Sequence, residues 1–241
     1  MQRNEEEPAG TDVRTADVHC RPVATHNCTC IPGTSGVYGI ALLGEFVYVV
    51  RNYKKKIDVY DAVKMKLRRR ISLPGLSYSA SSLAACPRNN CLYVGDWNDL
   101  TVHRVDLENS NLVKKWPVAD KPEGLSVNEA HNVLVACMTD SLLQEYTTRG
   151  HLVRQIKLRE GASPWHAIQL STGDFVVSQY KQSGVVNIVG QDGRTLRSYR
   201  GSKRSGGGEL KYPRSIAVTR RGDFLVADTF NNRILLSLIH I

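Results

Sequence analysis

Apolar residues along this chain come in short runs separated by clusters of turn residues. The pattern is clearest in Tyr212 to Leu236, YPRSIAVTRRGDFLVADTFNNRILL. Ile216 to Val218 predicts one strand and Phe224 to Ala227 a second, with Arg220 to Asp223 as the turn between them. Asp228 to Asn232 is polar, and Ile234 to Leu236 predicts a third strand. No stretch sustains a 3.6-residue apolar stripe, and no apolar run nears the ~18 residues of a spanning helix. The expected elements are strands, with no membrane segment.

The same pattern recurs upstream. With Ile216 as anchor, equivalent positions fall at Ile40, Leu83, Leu125 and Ile168, at successive intervals of 43, 42, 43 and 48 residues. Each anchor is followed by a residue closing a second strand: Arg51, Asp96, Cys137, Gln179 and Asp228. Six residues beyond each of those, a third strand begins at Ile57, Val102, Leu143, Val185 and Ile234. A fourth run follows in four units, at Arg70 to Leu73, Leu112 to Val118, Leu152 to Leu158 and Thr195 to Tyr199. Four short strands in a unit of roughly 40 to 50 residues make a propeller blade.

The chain is therefore expected to be all-β, a β-propeller of four-stranded blades with five visible, starting near 36, 78, 121, 164 and 212. Residues 1–22 read as a disordered acidic lead-in and 23–241 as the propeller. Gly201 to Glu209, GSKRSGGGE, lengthens the last interval as an inserted basic loop. The fifth unit lacks a fourth strand. Either Asn27 to Ile31 supplies it and closes five blades, or the chain is a fragment of a six-bladed propeller.

Composition adds little to the fold but bears on compartment and partners. The net charge is +9, from 32 basic and 23 acidic residues, which suits a phosphate backbone or an acidic partner. The start, MQRNEEEPAG, lacks the basic patch and apolar core of a secretory signal, so a cytoplasmic home is expected. Six cysteines are too few for a disulfide framework, and Cys86 and Cys91, bracketing PRNN, are expected to be reduced. Cys20, His26, Cys28 and Cys30 lack the paired spacing of a zinc module, so no metal is assigned to them.

At blade 5 the residues closely resemble an NHL repeat: Pro213, Ile216, Ala217, Val218, Gly222, Leu225, Val226, Asp228, Asn231, Asn232, Arg233 and Ile234 stand at that family's preferred positions. The other four units match in phase and apolar pattern only. The resemblance implies a β-propeller, usually six-bladed, of the kind found as the C-terminal module of tripartite-motif ubiquitin-ligase proteins. It also implies a binding platform for RNA or protein, and so the substrate-recognition part of such a protein; a minority of the family are enzymes. No RING or B-box pattern is present in this chain to carry ligase activity.

Strand parity places the loops leading into each blade and the strand 2–3 loops on one face. That face is expected to bind single-stranded RNA or protein through Arg51, Tyr53, Lys54, Lys55, Lys56, Trp97, Trp165, His166, Tyr180, Lys181, Tyr212, Arg214, Phe230, Asn231 and Arg233, since cations neutralise phosphates and aromatic rings stack on unpaired bases. The positions two before each anchor, Tyr38, Ser81, Glu123, His166 and Arg214, are expected at the channel mouth. Only Glu123 and His166 among them are good metal ligands, against the roughly three a catalytic zinc wants. The main expectation is thus a non-catalytic platform without cofactor. The alternative is a metal-dependent propeller lyase or hydrolase at that mouth.

Overall fold

The computed structural model describes residues 36–109, 113–180, 184–202, 208–219 and 223–237. Blade 1 consists of β1 (Val37–Leu43), β2 (Phe46–Arg51), β3 (Lys56–Asp61) and β4 (Leu67–Ser72). Blade 2 consists of β5 (Ala80–Cys86), β6 (Cys91–Asp96), β7 (Thr101–Asp106) and β8 (Val113–Pro117). Blade 3 follows as β9 (Pro122–Val127), β10 (Val133–Cys137), β11 (Leu142–Tyr146) and β12 (Leu152–Lys157). Blade 4 is β13 (Pro164–Gln169), β14 (Phe175–Gln179), β15 (Val185–Val189) and β16 (Thr195–Tyr199). A two-stranded ribbon, β17 (Gly201–Ser202) with β18 (Gly208–Glu209), joins the ends of the inserted loop. Blade 5 has β19 (Pro213–Val218), β20 (Phe224–Asp228) and β21 (Arg233–Ser237).

Each blade is an antiparallel meander in chain order, so the first strand of every blade is innermost. Inner strands of successive blades touch, β1 to β5, β5 to β9, β9 to β13 and β13 to β19. The expected five-bladed all-β propeller is what the chain forms. The segments invoked for closure and for zinc, Asn27 to Ile31 and Cys20 to Cys30, lie outside the described residues, as does the lead-in 1–22. No helix among the described residues is long and apolar enough to cross a membrane.

The core is not one cluster but a seam at each blade junction. Val50, Ile57 and Val59 of blade 1 meet Leu83, Leu92 and Val94 of blade 2. Tyr93 and Trp116 of blade 2 meet Val133, Val135 and Tyr146 of blade 3. Similar seams join blades 3 to 4 and 4 to 5. Side chains alternate across a strand. Hence β1 sends Ala41 and Leu43 into the first seam and leaves Ile40 and Leu42, 56% and 65% exposed, on its other face. Cys86 and Cys91 pair directly in register and lie in the second seam as free, fully buried thiols.

The inner strands have edges, and the preceding or following blade satisfies them with side chains, as an edge facing a neighbour requires. Leu125 N–H donates to Ser82 Oγ at 3.1 Å, and Ser126 Oγ donates to the Ala167 carbonyl at 2.7 Å. Ser178 Oγ donates to the Arg214 carbonyl at 2.8 Å. Blade approach is close enough at Gly124 that an added Cβ would lie 2.4 Å from the Trp165 carbonyl oxygen.

Candidate active site at the channel mouth

Every inner strand opens with the same irregularity. Val37, Ala80, Pro122, Pro164 and Pro213 pair with Arg51, Asp96, Cys137, Gln179 and Asp228, and the register shifts immediately afterwards. The residues left unpaired by these bulges are Tyr38, Ser81, Glu123 and Trp165, with Arg214 and Ser215 in blade 5. A bulge re-aims the side chain it carries. Four of these residues, Tyr38, Ser81, Glu123 and Trp165, line one cavity of about 340 Å³ at the channel mouth.

Four further lining residues also follow one rule. Asn52, Trp97, Met138 and Tyr180 each stand directly after the residue closing the second strand. The N–H groups of Asn52, Trp97 and Tyr180 donate to the carbonyls of Gly36, Ser79 and Ser163, just before the bulge of the same blade. The two residues a blade contributes are therefore held side by side. The closing residues themselves turn inward as braces: Asp96 accepts from Ser77 N–H at 2.5 Å, Gln179 from Ser163 N–H at 2.8 Å and Asp228 from Lys211 N–H at 2.6 Å.

Glu123 is the only carboxylate among the described residues of this cavity wall and is 7% exposed. Trp97 Nε1–H donates to its Oε1 at 2.9 Å, which leaves Oε2 for other work. Burial raises its pKa above the ordinary carboxylate value, and nearby Asp120 pushes the same way, against the Trp97 N–H and the charges of Lys121 and Arg214. Lys121 Nζ stands 3.8 Å over the Trp97 ring and the Arg214 guanidinium 4.9 Å over the Trp165 ring. Trp165 is stacked on Tyr180 at 5.1 Å, and Tyr212 continues the row to Phe230 at 4.5 Å.

His166 does not reach this wall. The apolar anchor of blade 4 is Ala167, which pairs with Val177 and is 2% exposed, and not Ile168. A one-residue slip reverses faces, so the bulge position passes from His166 to Trp165. His166 becomes the counterpart of Ser82: Ile216 N–H donates to its Nδ1 at 3.2 Å, and its Nε2–H donates to the Leu125 carbonyl at 3.1 Å. Both nitrogens are thus spent joining blades 3, 4 and 5, and burial lowers its pKa so that the ring is neutral.

The remaining expected face residues divide. Tyr53, Lys54, Tyr212 and Phe230 are exposed, Lys55 stands 4.4 Å over the Tyr78 ring, and Lys56 is half-buried at the start of β3. Arg51 is buried with its Nε 3.4 Å from Asp58, Arg233 is paired with Asp228 at 2.7 Å, and Asn231 donates to Asp228 and to the Glu209 carbonyl. These three side chains brace loops through internal pairs. Lys181 lies outside the described residues.

The donors do not fit a resident metal ion. Glu123 stands alone as a ligand, His166 has no lone pair to offer, and among the described residues no group of three or more His, Cys, Asp or Glu side chains is placed to hold one.

No protein-family model matches the chain, and no curated protein matches it in sequence. Solved structures do. The chain is similar to the hydrazine synthase of Kuenenia stuttgartiensis, with 17% identity and a TM-score of 0.64 over 83% of this chain and 58% of that one. It is similar to a streptogramin B lyase, with 14% identity and a TM-score of 0.65 over 83% of this chain and 64% of that one. Virginiamycin B lyase from Staphylococcus aureus gives 13% identity and a TM-score of 0.63 over 86% of this chain and 71% of that one. The chain spans less than two thirds of the first two. Likeness at such identities establishes the propeller fold.

Two expectations are corrected by these findings. The non-catalytic platform for RNA or protein, with its NHL framing, gives way because structures sharing the fold include lyases and no NHL model matches. Part of its proposed surface is also consumed by internal pairs. The expectation that the chain is not an enzyme falls with it, and the channel mouth named in the alternative is where the polar chemistry gathers.

Proposed function

We propose that this propeller is a lyase- or hydrolase-type enzyme acting on a small molecule in the channel-mouth cavity, with Glu123 as the proton-transfer group. The observation that carries the reading is a desolvated carboxyl, held by one indole N–H, opening on a mainly apolar cavity of about 340 Å³. That volume falls in the range of small-molecule sites. A carboxyl raised toward neutral pH is poised to give a proton to a leaving heteroatom or, once ionised, to take one from carbon or from water. Lys121 and Arg214, each over a tryptophan of the wall and both acting on Glu123, would favour negative charge developing in the cavity.

The lyase class is supported by the fold neighbours, one of which is a catalytically inactive histidine-to-alanine variant described with quinupristin. In this chain the histidine nearest the mouth is locked between two backbone groups, so proton transfer falls to Glu123. The test is turnover of quinupristin and of a panel of small aromatic esters and lactones, followed by mass spectrometry, for the wild type and Glu123→Gln. Product from the wild type with a loss of about 10²- to 10⁴-fold in the variant is expected. Equal rates in the two proteins, or no product from either, would sink the assignment.

A further inference from the structure

We propose that the ligand of the cavity is a small carboxylate with an aromatic or apolar body, its carboxylate held by Lys121 and Arg214 and its body lying against Trp97 and Met138. The inference rests on the reading of the cavity as the active site and goes further, to the substrate's charge.

Lys121 and Arg214 come from different blades yet each stands over the ring of a tryptophan lining the cavity. That contact fixes a flexible cation without neutralising it. Neither makes an ion pair among the described residues. Both act on Glu123 electrostatically, from beyond ion-pair distance. The charges around Glu123 can be followed element by element. Asp120 lies in the same loop as Lys121 and is engaged by Thr139 N–H at 2.6 Å, and Asp140, two residues past Met138, acts with Asp120 on the Cys137 thiol. The Cys137 thiol on β10 is pushed up to about 12 by burial and so is neutral, as is His166 on β13. Burial holds Glu123 toward its uncharged form. Lys121 and Arg214 thus stand on tryptophans of the wall, outside the lining itself, where the nearby anion Asp120 is already engaged by a backbone N–H, and cations beside low-dielectric walls concentrate anions. Guanidinium geometry favours a planar, bidentate partner, and a carboxylate is one.

A sign follows for pH. Ionised Glu123 would compete for the same cations and repel a bound carboxylate, so affinity should fall as pH rises through the Glu123 titration.

The experiment compares 3-phenylpropionate with its neutral amide, by calorimetry on the full chain at pH 6. The carboxylate is expected to bind about tenfold tighter. The double variant Lys121→Gln, Arg214→Gln should erase that preference by weakening the carboxylate more than the amide while the protein still unfolds in one cooperative urea transition, and Glu123→Gln should flatten the pH dependence. Equal affinity for the two probes, binding of neither, or a preference that survives the double variant would overturn the proposal. Because the readout is binding, a carboxylate preference without any turnover would reject the catalytic reading alone; turnover without the preference would reject this one.

Discussion

Glu123 and His166 are the two metal-ligand candidates that the sequence places at the channel mouth, and one residue of register separates their fates. Glu123 occupies the bulge of its inner strand and opens on the cavity. His166 sits one place past the bulge of the next blade, where the side chain meets the edge of β19 and both ring nitrogens are taken by backbone. The first is a desolvated acid that opens on the cavity, the second a neutral stitch across three blades. In this propeller, then, the position relative to the bulge decides whether a polar residue is reactive or structural.

The largest effect should come from the reactive side. Glu123→Gln keeps the acceptor for Trp97 Nε1–H and nearly the same shape, so stability by urea unfolding should change by less than about 1 kcal/mol. Turnover should drop by about 10²- to 10⁴-fold. His166→Ala should do the converse. It strands the Ile216 N–H and the Leu125 carbonyl and removes packing at a seam of three blades, which costs about 2 to 4 kcal/mol. A midpoint in urea that barely moves for His166→Ala would break the comparison.

Gly124 tests the geometry that separates the two. It lies beside Glu123, and a Cβ there would stand 2.4 Å from the Trp165 carbonyl oxygen and 2.8 Å from the His166 Cα, both backbone atoms that cannot yield cheaply. Gly124→Ala should therefore destabilise by about 1 to 3 kcal/mol. Gly161→Ala is the control for space, since nothing lies within 4 Å of that Cβ, although its positive φ adds strain of its own.

Much of this arrangement was legible in the sequence because it is periodic. Second-strand ends, four of the five anchors and three residues of the cavity wall, Tyr38, Ser81 and Glu123, follow from a repeat near 43 residues, and Arg214 shares the bulge without lining the wall. Blade 4 failed by one residue because Ile168 is more apolar than Ala167, whereas Ala167 is the residue buried in the seam between blades 3 and 4. A second signal lay unread in the positions after the strand ends, which would have added Asn52 and Met138 to the wall. What no pattern along the chain discloses is whether a cation is exposed: Arg51 and Arg233 look like Lys54 in sequence and are distinguished by Asp58 and Asp228.

The smallest effect is in the pH dependence of stability, where the two residues should bend the curve in opposite directions. His166 has a lowered folded pKa, so its contribution is complete above the unfolded value of about 6.5 and is lost as pH falls below it. Protonation would also turn Nδ1 into a donor facing the Ile216 N–H. Glu123 has a raised folded pKa, so the folded protein keeps a proton that the unfolded chain gives up near about 4.3, and stability declines as pH rises from there until Glu123 ionises in place. Each slope is bounded at about 1.4 kcal/mol per pH unit for one proton. In urea titrations across this range, the advantage of wild type over His166→Ala should narrow toward acid, whereas Glu123→Gln should gain on wild type toward neutrality. Parallel curves for wild type and Glu123→Gln would show that Glu123 is solvated like an ordinary surface carboxylate, which removes the physical basis for its role in proton transfer.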